Sequence, residues 1–196
     1  MLLTHVITIA SYGDAKEKSV YCLELAKALA ASGRSVLLID ASPEATLTRM
    51  LGVLPGLPTA TDMILSQRED SPTQYVLTGN RLPKSITLVP GDDDISQIEA
   101  GMSKKLPGLD IGIAMVAPIV KLRGLYEYIL IDTPSQSVEP AVLMALGASN
   151  IAVLVDPTPD LQADVLVAQT EVNVGLRTIH ATMPAAALAE EIISDE

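Results

Sequence analysis

Val36-Leu37-Leu38-Ile39-Asp40 and Tyr128-Ile129-Leu130-Ile131-Asp132 are two short runs of one design, four largely aliphatic residues closed by a carboxylate. Runs of this length, apolar throughout, read as strands buried on both faces of a parallel sheet. A carboxylate at the carboxyl end of such a strand points into the crevice where open α/β sheets bind ligands. There it can hold Mg²⁺ directly or through water. A strand simply ending at a polar turn residue is the plainer account of either Asp alone. Two of them, each followed within three residues by a proline, Pro43 and Pro134, argue for a site.

Outward from these runs, the chain alternates β-rich segments with helical patterns, the rhythm of βαβ units and a three-layer α/β/α fold with a mainly parallel twisted sheet. Expected strands are His5–Ala10, Ser35–Asp40, Ser85–Val89, Tyr128–Asp132, Ile151–Val155 and Thr178–Thr182. Between the first two, Leu23, Ala26, Leu29 and Ala30 recur at helical spacing over Lys18–Ala31, and Gly33 stops that helix. Thr59 or Thr61 could cap a short helix through Ser66 after the loop marked by Pro55 and Pro58, and residues 67–84 read as a polar surface excursion. Asp94–Lys104 and Asp110–Arg123 read as two helices parted by Pro107-Gly108, with Pro118 kinking the second or delaying its start. Glu139–Leu146, Leu161–Val172 and Ala185–Ile193 complete the helical set.

A chain of 196 residues is long enough for one substantial core, and a single domain over residues 1–196 is expected. With no Trp or Phe, that core must be aliphatic. One cysteine, Cys22, rules out an intrachain disulfide framework and fits a reducing compartment. It reads as packing rather than as a nucleophile. There is no run long enough to span a membrane and no signal-peptide pattern, so the chain reads as cytoplasmic. The net charge of −11 is uneven: residues 125–196 hold one Arg and 11 acidic groups. That distribution disfavours a phosphate backbone or an anionic membrane as partner and suits a protein partner, or plain solubility. His5 and His180 have no metal-ligand spacing around them and read as structural.

Val36 to Gly52, VLLIDASPEATLTRMLG, resembles the ParA-family pattern VLLIDxDPQxNxTxxLG, and Tyr126 to Pro134, YEYILIDTP, resembles that family's Walker B region. Leu88-Val89-Pro90, the Asp94–Glu99 stretch and the Ala145–Pro159 stretch match in the family's order, so the resemblance to the ParA/MinD group of P-loop ATPases covers roughly residues 4–172. It implies a KGGxGK[ST] loop after the first strand, whose N–H groups wrap phosphates at a helix N-terminus. Counted back from Asp40, that loop is Gly13-Asp14-Ala15-Lys16-Glu17-Lys18-Ser19. Lys18 then stands at the phosphate-reaching lysine and Ser19 at the Mg²⁺-binding hydroxyl. ATP and Mg²⁺ are the implied cofactors, with Gly13, Lys16, Glu17, Lys18 and Ser19 around the nucleotide and Ser19, Asp40 and Asp132 around the metal.

The departures bear on activity. Gly13 replaces the family's signature lysine, and Asp14, Ala15 and Glu17 replace its glycines. One like-charge pair at roughly 5 Å and an effective dielectric near 20 costs about 3 kcal/mol before screening, opposing tight nucleotide binding. Lys16 and Lys18 offset part of that. Ser42 occupies the usual position of the catalytic Asp, and a hydroxyl is a weaker orienting group for water. The resemblance thus implies a pseudo-ATPase or very weak ATPase acting as an interaction module in positioning, partitioning or assembly. Two alternatives stand beside it. One is an active divergent ATPase using Lys18 or Lys16 with nucleotide-dependent dimerisation, and the other a regulatory relative of the bacterial exopolysaccharide tyrosine kinases. A homodimer is implied by the family. The acidic Ala185–Glu196 tail gives no support to DNA or membrane binding through that end. The chain ends soon after its sixth strand, so the expectation is a minimal domain or one completed by a partner.

Overall fold

The computed structural model describes residues 3–53, 58–66, 82, 85–135 and 140–195. Among these residues six strands form one sheet: β1 His5–Ala10, β2 Val36–Asp40, β3 Ile86–Val89, β4 Tyr128–Asp132, β5 Ile151–Leu154 and β6 Arg177–His180. Their order is β3-β2-β4-β1-β5-β6, and every pairing is parallel. Among the described residues eight α-helices accompany them: α1 Ala15–Ala31, α2 Thr46–Met50, α3 Ala60–Leu65, α4 Ile98–Lys105, α5 Val116–Leu122, α6 Pro140–Ala148, α7 Pro159–Val167 and α8 Ala185–Ser194.

Side-chain alternation along each strand divides the core into two layers. Leu37, Ile39, Ile129 and Ile131 face one side, where they meet Met63 of α3, Ile98 and Met102 of α4, Ile119 of α5 and Met144 of α6. Val36, Leu38, Tyr128 and Leu130 face the other, against Cys22, Leu25 and Leu29 of α1, Leu47 of α2 and Leu188 and Ile192 of α8. Helices on both faces of a parallel sheet make the three-layer α/β/α fold the sequence pattern implies. Among the described residues no helix is long and apolar enough to cross a membrane.

Several boundaries differ from the sequence reading. β6 begins at Arg177 and ends at His180, because its ladder is set by Ile151↔Arg177 through Leu154↔His180. The expected helix over Asp94–Lys104 divides into a 3₁₀ turn, Asp93–Gln97, capped by Asp92, followed by α4. Asp110–Arg123 likewise divides: the Asp110 side chain accepts from Gly112 N–H (2.7 Å) and holds a 3₁₀ turn, and α5 starts at Val116. Pro118 is the third residue of α5, where its missing N–H costs nothing, so it delays the start without a kink. Helix α7 stops at Val167 and passes into a π-type turn over Ala168–Val172. Thr59 caps α3, with Asp62 closing a capping box. Helix α1 starts three residues before the expected Lys18, and α2 carries too short an apolar pattern to be read from sequence. Pro55, the Glu139 start of the sixth helix and the excursion at 67–84, Leu82 apart, lie outside the described residues.

Glycine matters sterically at Gly147. A Cβ built there would fall well inside contact distance of the Gly112 carbonyl oxygen. Helix α6 therefore rests directly on the backbone of the 3₁₀ turn. Gly147→Ala should force the two apart and destabilise the protein by about 1–3 kcal/mol, read as a lowered urea midpoint at unchanged m-value.

Candidate phosphate-binding site

The site assembles at the carboxyl ends of β1, β2 and β4. After β1, residues Ser11–Asp14 form a loop in which Gly13 N–H donates to Ser11 Oγ (3.1 Å). Asp14 then caps α1, its Oδ1 accepting from the N–H groups of Lys16 (2.7 Å) and Glu17 (3.2 Å). Such a cap contributes about 1 kcal/mol to helix stability. Gly13, Lys16 and Glu17 are exposed, while Lys18 and Ser19, on the inner side of the first turn, are buried.

Both buried residues converge on Asp132. Lys18 Nζ lies 3.1 Å from Asp132 Oδ1, both side chains fully buried, and Ser19 Oγ donates to Asp132 Oδ2 at 2.6 Å. The Lys18–Asp132 contact is one of charge rather than of an aligned hydrogen bond, since neither Lys18 Nζ nor Asp132 Oδ1 has a hydrogen-bond partner among the described residues. Burial pushes the Asp132 carboxyl up to about 6 from its ordinary 3.8. Lys18 draws it down, neighbouring Asp40 raises it further, and the Ser19 hydrogen bond lowers it.

Asp40 lies beside Asp132 in register on the adjacent strand but has a different environment. Its Oδ1 accepts from Ser42 N–H (3.2 Å) and Ser42 Oγ (2.7 Å), and its Oδ2 from Thr48 N–H (2.9 Å) and Thr48 Oγ1 (2.7 Å). Burial raises its pKa, and these four donors pull in the opposite direction. Ser42 thus spends its hydroxyl on Asp40. Gly91 seals the far side: its N–H donates to Thr48 Oγ1 (2.8 Å), and a Cβ there would come within 2.8 Å of the Asp40 carboxyl carbon.

For Mg²⁺ the donor set fits unevenly. Asp132 Oδ1 is a buried acceptor without a hydrogen bond, and Ser19 Oγ is next to it. Asp40 has both oxygens engaged and suits contact through water better than direct ligation. Mg²⁺ keeps several waters and takes one or two protein groups beside substrate phosphate, so this sparse set is chemically adequate. Cys22 is buried close by, its thiol pushed well up by burial and then by Asp132, which makes it inert packing.

Sequence reasoning did not single out Thr48, Gly91 or Asp156. Asp156 follows β5 and carries the same signal as the other two aspartates, an apolar strand closed by Asp with Pro157 next. Its Oδ2 lies 3.9 Å from where a Cβ on Gly13 would stand, so it faces the loop from across the sheet end. An open cleft of about 590 Å³ adjoins that corner, walled by Val20, Tyr21, Val155 and Pro184 with Glu17 and Asp156 among its lining.

A parallel sheet with a strand–loop–helix carrying Lys and Ser against a strand-terminal Asp defines a P-loop NTPase fold. A family model described as AAA domain matches residues 4–166, and the chain belongs to that family, in its ParA/MinD group of P-loop ATPases. It is 27% identical over 146 residues to maintenance of carboxysome distribution protein A of Gloeothece citriformis, covering 74% of this chain and 53% of that protein. It is 29% identical over 133 residues to the chromosome partitioning protein ParA of Caulobacter vibrioides, covering 66% and 47%. The chain thus spans about half the length of these curated relatives. In fold it matches cobyrinic acid a,c-diamide synthase from Mycobacterium smegmatis with bound ATP analog and magnesium, with a TM-score of 0.78 at 21% identity over 99% of this chain and 80% of that one.

The raised pKa of Asp132 sets a pH dependence. Neutral Asp132 is favoured in the folded state, so its contribution is fully present below pH 3.8 and is lost as pH rises through about 6. In metal-free protein, the stability of Asp132→Asn relative to wild type should therefore rise between pH 4 and 7, by on the order of 2–3 kcal/mol. Denaturant melts across that range check it, and a flat difference would show that Asp132 titrates normally.

Proposed function

We propose that this chain is a positioning or partitioning module that recognises nucleotide phosphate at the start of α1 and hydrolyses it very slowly or not at all. The observation that carries the reading is the convergence of buried Lys18 and Ser19 on Asp132 beneath the N-terminus of α1. The Lys18 ammonium, held by one ion pair to Asp132, has further donors to offer phosphate oxygens, and the helix N-terminus favours the same charge. The adjoining cleft offers room for the rest of a nucleotide. The relatives' names, carboxysome distribution and chromosome partitioning, supply the class of task. A protein partner and a homodimer follow from the same kinship, and Mg²⁺ would sit at Ser19 and Asp132, where it would neutralise phosphate charge.

Slow turnover follows from what surrounds the phosphate position. Ser42 replaces a carboxylate, and its hydroxyl is engaged by Asp40. Gly13 offers no side chain to neutralise charge on a transferred phosphoryl group, and Asp14, Glu17 and Asp156 add negative charge around the loop. Exposed Lys16 is the cation left to the alternative reading, an active ATPase completed across a dimer.

Calorimetric titration of Mg-ATP into wild type and Lys18→Met, together with phosphate release, tests the proposal. Methionine keeps the buried volume and removes the charge. Binding by wild type that weakens at least about tenfold in Lys18→Met, with release close to the uncatalysed rate, is the expected result. Sustained turnover abolished by the substitution would instead establish the divergent ATPase. Identical titrations of the two proteins would leave the site without a phosphate role.

A further inference from the structure

The N-terminus of α1 already holds an anion, and that anion belongs to the protein. Asp14 Oδ1 accepts from two consecutive N–H groups, Lys16 at 2.7 Å and Glu17 at 3.2 Å, on the first turn of a 17-residue helix. These are groups that a phosphate would otherwise take at this position. Directly inside the same turn, the Lys18 ammonium is fully buried, its charge met by Asp132 Oδ1 at 3.1 Å with no aligned hydrogen bond among the described residues. The loop therefore combines a buried cation, paired with the single carboxylate of Asp132, with a backbone anion site filled from within.

We propose that Asp14 is an autoinhibitory occupant of the phosphate site: its carboxylate stands in for a phosphate oxygen on the Lys16 and Glu17 N–H groups, and nucleotide must displace it to bind. The inference rests on the phosphate reading of this loop. Asp14 is exposed, so displacement requires only a side-chain rotation into solvent with no repacking of the core. Displacement leaves the carboxylate beside the incoming polyphosphate, with Glu17 next to it and Asp156 across the loop, so the penalty has two parts, lost occupancy and added repulsion. Both act on affinity rather than on the chemical step. The cap itself does not require the charge, because an uncharged side-chain oxygen or a glycine serves as an N-cap nearly as well.

Two substitutions separate the two parts. Asp14→Asn keeps a capping oxygen on the N–H groups and removes the charge, whereas Asp14→Gly vacates them. Calorimetric titration with Mg-ATP should show Asp14→Gly binding about tenfold more tightly than wild type, with Asp14→Asn between them. The gain in Asp14→Gly should disappear when Lys18→Met is added, which locates it at this loop. Thermal melts of both variants should stay within a few degrees of wild type, since Asn and Gly are accepted caps. Wild type and Asp14→Gly binding equally overturns the proposal while leaving the phosphate reading intact. Equal gains in Asp14→Asn and Asp14→Gly overturn occupancy in favour of charge repulsion. Absence of binding in wild type and Asp14→Gly alike overturns this inference and the phosphate reading together.

Discussion

The carboxylate of Asp132 joins the sheet to the helix that carries the candidate site. It closes the central strand β4, and Lys18 and Ser19 reach it from the first turn of α1. Taking a carboxylate and an ammonium out of water costs several kcal/mol per ion, and the attraction between them repays this only when the remaining polar atoms are satisfied. Here they are not, since Lys18 Nζ and Asp132 Oδ1 both lack hydrogen bonds among the described residues. The arrangement is poor as a stabilising device. It is well suited to accepting further oxygen ligands and cations, which is why the functional reading starts from this pair.

Two strand-terminal aspartates in register have taken different work. Asp40 is saturated by four donors from Ser42 and Thr48 and closed off by Gly91, so it organises the loop between β2 and α2. Asp132 has one oxygen on Ser19 and the other against the Lys18 ammonium. The difference lies in the neighbours: the chain after β2 folds back over its own carboxylate, whereas the cover over Asp132 comes from α1, a helix 113 residues earlier in the chain at the Ser19 contact. The Asp40 carboxylate also holds the Asp132 pKa up, so the two strand ends are electrostatically linked.

Much of the fold was legible because β1, β2 and β4 are buried on both faces and their apolar runs end abruptly at polar or turn residues. The misreadings fall where local capping competes with helical periodicity. Asp92 and Asp110 each hold a 3₁₀ turn that the apolar spacing alone would continue as α-helix. Strand β6 shifted because an edge strand, half-exposed on both sides, takes its limits from its neighbour rather than from its own pattern. At the site, Lys18 and Ser19 could be placed by counting from Asp40, but Thr48 and Gly91 carry no signal of their own, since Thr in a short helix and Gly after a strand are commonplace.

The alternation of strands and longer helices and the strand-terminal Asp40 and Asp132 are properties of the sequence, because they follow from which residues are apolar and where the runs end; the family and the places of Lys18 and Ser19 were legible through the motif resemblance. Only the tertiary structure decided that Lys18 turns inward to Asp132, that Ser42 and Thr48 close over Asp40, and that Asp14 folds back onto the start of α1. Those choices depend on distances between groups far apart in the chain and on which hydrogen bonds survive burial, and spacing along a sequence holds neither.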